Sequence, residues 1–220
     1  MSIKQNLNHI KSTLPKHVTL VAVSKTKPVN YLMEAYNAGQ RVFGENKIQE
    51  MAEKHDVMPK DIEWHMIGHV QSNKVKYMAS FVKLIHGVDN FKLLEEINKQ
   101  AKKHDRVIDC LLQIKIAEED SKFGMTTMEA FNILKSEAFS QLKNIQVVGV
   151  MGMATFTEDE NQIKKEFTLL KTTFDDLKSH ESFNFKPETI SMGMSGDYAL
   201  AIDCGSTMIR VGSSIFGERK

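Results

Sequence analysis

Three short segments carry the residues best suited to chemistry. Leu20-Val21-Ala22-Val23-Ser24-Lys25 is an apolar β-type run that ends in a lysine. Ser191-Met192-Gly193-Met194-Ser195 and Arg210-Val211-Gly212-Ser213-Ser214 are turns rich in small and hydroxyl residues, separated by a helix-like stretch. A neutral lysine amine can condense with an aldehyde, and partial burial or nearby cations favour the neutral form. Gly193 and Gly212 let backbone N–H groups approach an anion closely, and Ser191 and Ser213 add hydroxyl donors. An anchoring amine with two phosphate-type turns is what pyridoxal 5'-phosphate (PLP) requires. Each part alone is weak. Lys25 is one of 25 lysines (29 basic residues less Arg41, Arg106, Arg210 and Arg219), and small residues in loops are usually just turns.

Other residues extend the constellation. Arg210 stands inside an apolar strand, where a buried charge needs a partner. It reads either as half of a structural ion pair or as a guanidinium facing the pyridine nitrogen of PLP. In the second role it disfavours protonation of that nitrogen and weakens the ring as an electron sink. Asn46, in Phe43-Gly44-Glu45-Asn46, is placed to hydrogen-bond ring substituents. Met151, Met153, Met192 and Met194 suit either an apolar pocket around the ring or ordinary core packing. His65 and His69 have a metal-like spacing, but that spacing serves metals on a helix and this segment reads as a strand running into a turn. Lys122, in Ser121-Lys122-Phe123-Gly124, is expected to overhang the same face. It reads as a solvated loop lysine or as a transient holder of outgoing PLP.

These groups must be brought together by the elements between them. The 220 residues are 41% hydrophobic and 26% charged, which describes a globular chain with material for one large core. The net charge of +1 and the lack of a basic block give no case for nucleic acid or a membrane surface. No run approaches ~18 apolar residues, and the polar N-terminus lacks the apolar stretch of a signal peptide. Cys110 and Cys204 lie far apart without metal-type spacing and read as reduced thiols of a cytoplasmic protein.

Strands are expected at Val18–Val23, Arg41–Phe43, Glu63–Ile67, Val82–His86, Asp109–Ile116, Gln146–Val150, Glu188–Ser191 and Met208–Val211. Amphipathic segments lie between them. One, around Tyr31–Tyr36, ends at Gly39; another begins at Phe91 after Asp89-Asn90; a third runs through Ile163, Phe167 and Phe174. A further helix, from Asn6 to Leu14, precedes the first strand. Eight alternating units imply a single domain, 1–220, closed as an α/β (β/α)8 TIM barrel, with an open doubly wound sheet as the alternative. In such a barrel phosphate commonly binds the loops after strands seven and eight. Those are the two turns above, and Lys25 follows strand one, next to strand eight once the barrel closes.

Ala22-Val23-Ser24-Lys25, Phe43-Gly44-Glu45-Asn46, His65-Met66-Ile67-Gly68, Gln71-Ser72-Asn73-Lys74 and the stretch from Ser191 through Gly205-Ser206-Thr207-Met208-Ile209-Arg210-Val211-Gly212 to Gly217 resemble the pyridoxal phosphate homeostasis protein family, also called the proline synthase co-transcribed family. The resemblance spans nearly the whole chain. It implies a fold-type III barrel similar to the N-terminal domain of alanine racemase. It also implies PLP as an aldimine on Lys25, phosphate held by Ser191, Gly212 and Ser213, and Arg210 at the ring nitrogen. Met151, Met192, Gly193 and Asn46 complete the expected cofactor set. The implied role is buffering or delivery of PLP to apo-enzymes in the cytoplasm, by a monomer without robust turnover. Alanine racemase adds a β-domain and a partner subunit that supply its second acid/base, and this chain, ending at Lys220, is expected to lack both. A racemase-like PLP enzyme is the alternative. A barrel that binds another phosphorylated ligand, with Lys25 acting only electrostatically, is a third reading.

Overall fold

The structure, a computed structural model, describes residues 2–118 and 123–218. Eight parallel strands close in sequence order: β1 (Thr19–Val23), β2 (Val42–Glu45), β3 (Glu63–Met66), β4 (Leu84–Val88), β5 (Ile108–Gln113), β6 (Ile145–Met151), β7 (Phe185–Ser191) and β8 (Met208–Val211). The seam closes with Leu20 beside Ile209 and Val21 beside Arg210. The sheet is therefore a closed barrel rather than an open doubly wound one.

Helices cover the outside. They include α1 (Ile3–Thr13), α2 (Val29–Asn37), α3 (Ile48–Val57), α4 (Phe91–Lys103), α5 (Thr127–Lys135), α6 (Glu137–Ser140), α7 (Glu160–Lys178), α8 (Tyr198–Asp203) and α9 (Ser213–Phe216). Their starts follow local chemistry. Ser2 and Gln5 form a capping box on α1, and the Asn90 side chain accepts from Leu93 N to open α4. Thr126 and Glu129 form a second capping box on α5. α2 stops just before Gly39, as expected. Among the described residues no helix is long and apolar enough to cross a membrane.

The core has two parts. A large one lies between barrel and helices and includes Phe43, Trp64, Phe139, Phe167 and Phe185, all essentially buried. A small one fills the barrel's interior with Val21, Leu84, Leu111, Met151 and Met208.

Most strand ends shift from expectation by one to three residues, and the two largest shifts have local physical reasons. β5 ends at Gln113 because Ile114 leaves the ladder to bridge Met125. β7 starts three residues early, at Phe185, despite Pro187. The β6–β7 register shifts between Val147 and Gly149, and this irregularity accommodates a residue with no ladder N–H.

Candidate functional site

A cavity of about 810 Å³ opens at the C-terminal ends of the strands. Every segment expected to do chemistry reaches its wall. Lys25, Asn46, Arg210, Gly212 and Ser213 line it, together with Met153, Met194, Ser195 and Asp197.

The loop that carries Lys25 is held from below. Ser24 Oγ donates to Glu45 Oε1 at 2.6 Å. Lys54, projecting from α3, donates to Ser24 O at 2.8 Å, to Glu45 Oε1 at 2.8 Å and to Glu50 Oε1 at 2.7 Å. Burial pushes the Glu45 carboxyl up, against the pull of the Lys54 ammonium. Glu50 Oε1 also accepts from Thr26 N at 2.6 Å. Thr26 has φ +64°, a conformation that β-branched residues seldom adopt without support. Lys27 Nζ ties the far end of the loop to Gly217 O and Glu218 O, both at 2.9 Å. A lysine held this way is presented on a rigid base rather than on a free loop. Asn46 is fixed similarly, because Gly68 packs flat against its backbone. A Cβ on Gly68 would come within 2.5 Å of Asn46 O.

The two turns meet across the β7–β8 seam. Gly212 N donates to Ser195 Oγ at 3.2 Å, and Met194 N donates to Asp197 Oδ1 at 2.5 Å. Gly193 holds the first turn with φ +96°, and its Cα faces Ala201 and Tyr198 of α8. Gly212 and Ser213 open α9, where the first N–H groups of a helix have no intrahelical acceptor. A Cβ on Gly212 would sit 3.1 Å from Val23 O, so a larger residue would crowd the end of β1 there.

Arg210 is buried, and backbone and hydroxyl oxygens accept from its guanidinium. Nη1 donates to Ser191 O at 2.8 Å and Ser191 Oγ at 2.6 Å, and Nη2 donates to Gly152 O at 3.0 Å. Burial pushes its pKa down to about 10, and the charge of Asp197 opposes that shift. The guanidinium is still cationic at neutral pH, and it forms part of the cavity wall.

Not every expected residue reaches the cavity. Met151, Ser191 and Met208 pair side by side at one level of the barrel, two residues below Arg210. Ser191 therefore points under Arg210, and its hydroxyl is engaged there. Met151 packs in the interior core at the same level. Met192 alternates outward into the helix-facing core, and Gly193 serves the backbone of the turn. The methionines that do line the cavity are Met153 and Met194. His65 and His69 separate. His65 is buried inside the barrel, whereas exposed His69 stacks on Phe123 at 4.3 Å. Among the described residues no three His, Cys, Asp or Glu groups converge as a metal site would need. Lys122 lies outside the described residues.

Several contributors lie outside the motifs, apart from Phe123, whose segment is the one expected over this face. Phe123 closes one side of the cavity, with its carbonyl held by Gln113 Nε2 at 2.9 Å. Thr155 is pinned by Glu166 of α7 through N at 2.6 Å and Oγ1 at 2.7 Å, which orders the rim after β6. Lys54 and Glu50 read in sequence as ordinary polar residues of an amphipathic helix.

The family model of the alanine racemase N-terminal domain matches residues 1–220. The pyridoxal phosphate homeostasis protein of Vibrio alginolyticus is 38% identical over 234 residues, covering 99% of this chain and 98% of the relative. The structure of PipY from Synechococcus elongatus with PLP bound matches at 33% identity and a TM-score of 0.88, covering 98% of this chain and 100% of that one. The same protein without PLP matches at 34% identity and a TM-score of 0.92, with the same coverage. With fold and full-length likeness in agreement, the chain belongs to the alanine racemase N-terminal domain family and, within it, to the pyridoxal phosphate homeostasis proteins.

Proposed function

We propose that this protein binds PLP as a Schiff base on Lys25 and holds it for intracellular homeostasis, without robust turnover of a substrate. One observation carries the reading: Lys25, Arg210 and the Gly212-Ser213 turn line a single cavity. The donor set suits the cofactor. It offers an amine for an aldehyde, a small-residue turn for a phosphate and a guanidinium for a ring nitrogen. A full-length relative at 33% identity, PipY, has been solved with PLP bound, which supports the same ligand class here.

In this arrangement the Gly212-Ser213 turn and Ser195 hold the phosphate, while Asn46 and Met194 flank the ring. Ser191 supports Arg210 from below, and Met151, Met192 and Gly193 shape the floor and the turn. Bound PLP would supply an electron sink. An always-cationic donor at its ring nitrogen weakens that sink, and this favours a carrier over a carbanion-forming enzyme. The carrier is proposed as a monomeric single domain. Cys110 is buried and Cys204 half-buried, both as free thiols, in keeping with a reducing cytoplasm. Apo forms of PLP enzymes are the natural recipients.

The test uses PLP-loaded protein in two assays. Mixed with an apo PLP enzyme, it should restore that enzyme's activity. Incubated with a panel of L-amino acids in deuterium oxide, it should exchange no α-proton. Exchange at enzyme-like rates that disappears in Lys25→Ala would instead establish the racemase-like alternative.

A further inference from the structure

Two buried histidines stand inside the barrel below the cavity, and nothing in the binding reading uses them. His65 on β3 and His86 on β4 are 3% and 0% exposed. His65 Nδ1 lies 3.0 Å from His86 Nε2, and His86 Nδ1 lies 3.0 Å from Ser191 Oγ. Ser191 Oγ in turn accepts from Arg210 Nη1 at 2.6 Å. Four side chains from β3, β4, β7 and β8 thus form one line across the barrel, and it ends at the cavity floor.

Counting protons gives the line a direction. Arginine can only donate, so Ser191 Oγ accepts at that end. Burial keeps both imidazoles neutral. It pushes His65 down to about 3 and His86 well below the ordinary histidine range, with the charge of Lys83 adding at His65 and that of Arg210 at His86. A neutral imidazole has one N–H. The hydroxyl hydrogen of Ser191 then goes to His86 Nδ1, and His86 Nε2–H goes to His65 Nδ1. The reverse order would aim two donors at Ser191 Oγ and strand its own hydrogen.

We propose that His86, oriented by His65 and acting through Ser191, is a positioning residue that fixes the Arg210 guanidinium against the ring nitrogen of bound PLP. The inference rests on the PLP reading above. Its physical content is that the backing is neutral. A carboxylate behind Arg210 would hold the guanidinium but also offset its charge. A serine and two neutral imidazoles hold it through aligned, mutually polarising hydrogen bonds and leave the charge whole on the cavity side. The carboxylate of Asp197 acts on Arg210 from the cavity lining, outside the line. Arg210 therefore stays a full cation in fixed orientation, the state that keeps the ring nitrogen unprotonated.

The test has an arm that needs no cofactor and an arm that does. Nitrogen-15 NMR of the unloaded protein at pH 6 should show His86 and His65 neutral, each protonated on Nε2. His86 protonated on Nδ1, or on both nitrogens, overturns the proposal. In the loaded protein, His86→Leu should still give a borohydride-fixed pyridoxyl adduct on Lys25. Its absorbance maximum should move, and PLP release should accelerate about tenfold, the equivalent of ~1.4 kcal/mol. His86→Asn keeps an acceptor where Nδ1 stood and should restore the parental spectrum; it also serves if His86→Leu fails to fold. A folded His86→Leu with parental spectrum and release rate overturns the proposal alone, as does a His86→Asn that fails to rescue. A parent protein that takes up no PLP overturns the binding reading and this inference with it.

Discussion

Lys54 Nζ lies 2.8 Å from Glu45 Oε1, and the same ammonium donates to the carbonyl of Ser24, the residue before Lys25. This buried pair joins α3 to the ends of β1 and β2 and forms the base on which the anchoring lysine stands. Glu45 is fully buried, and among the described residues its Oε2 has no hydrogen-bond partner. It depends on Lys54. Lys54→Met should destabilise the protein by about 3–5 kcal/mol, because it strands a buried carboxylate. The double variant Lys54→Met/Glu45→Gln should regain much of that loss. Urea unfolding of the two variants and the parent checks both expectations, and equal losses in single and double variants would contradict them.

The buried histidine pair predicts sensitivity to acid. Both imidazoles are held neutral in the native state, His65 with a pKa pushed down to about 3, whereas in the unfolded chain they titrate near ~6.5. Between those values the unfolded chain binds more protons than the native one, so stability rises with pH. The stability is fully present above about pH 6.5 and is lost as the pH falls. Each imidazole contributes a slope of about 1.4 kcal/mol per pH unit. Denaturant unfolding between pH 6.5 and 5, above the range of most carboxylates, measures the slope. His86→Asn should remove about half of it, and a flat profile in the parent would contradict the assignment.

Gly193 offers a steric test of the turn after β7. Its φ is +96°, and a Cβ would stand 2.7 Å from Ala201 Cβ and 3.0 Å from Tyr198 Cα. Gly193→Ala should lower stability by about 1–3 kcal/mol through strain and overpacking. It should also displace Met194 and Ser195, and so weaken PLP binding more than the stability loss alone explains. Thermal unfolding and PLP titration of the same sample separate the two effects. An unchanged affinity would place the phosphate elsewhere.

Pyridoxal carries the same aldehyde without the phosphate. If Gly212, Ser213 and Ser195 hold the phosphate, PLP should bind the parent more than about tenfold tighter than pyridoxal. Ser213→Ala should narrow that ratio and leave pyridoxal binding unchanged. Equal losses for both ligands would mean that Ser213 supports the cavity without touching the phosphate.

The parts of the site that sequence could show are those at the ends of strongly patterned elements. Lys25 follows a five-residue apolar strand, and Arg210 sits within another that Gly212 and Ser213 follow, so barrel closure alone brings them together. Ser191 shows where pattern reading stops. Its small hydroxyl side chain in a turn suggests an anion ligand, but its level in the barrel places it under Arg210, and level depends on register with β6 and β8. The supports of the site were less legible still. His86 and Ser191 are 105 residues apart, and Lys54 reaches Glu45 across a helix–sheet boundary. Such contacts follow from packing, and nothing local in either segment announces them.

The claim on which the rest depends is that Lys25 anchors PLP. Purified protein should be titrated with PLP, reduced with borohydride, digested and mapped by mass spectrometry. The account predicts a visible absorbance band that reduction removes, and a pyridoxyl mass on the peptide containing Lys25, absent in Lys25→Ala. No band after saturating PLP, or an adduct that persists on other lysines when Lys25 is replaced, would contradict it.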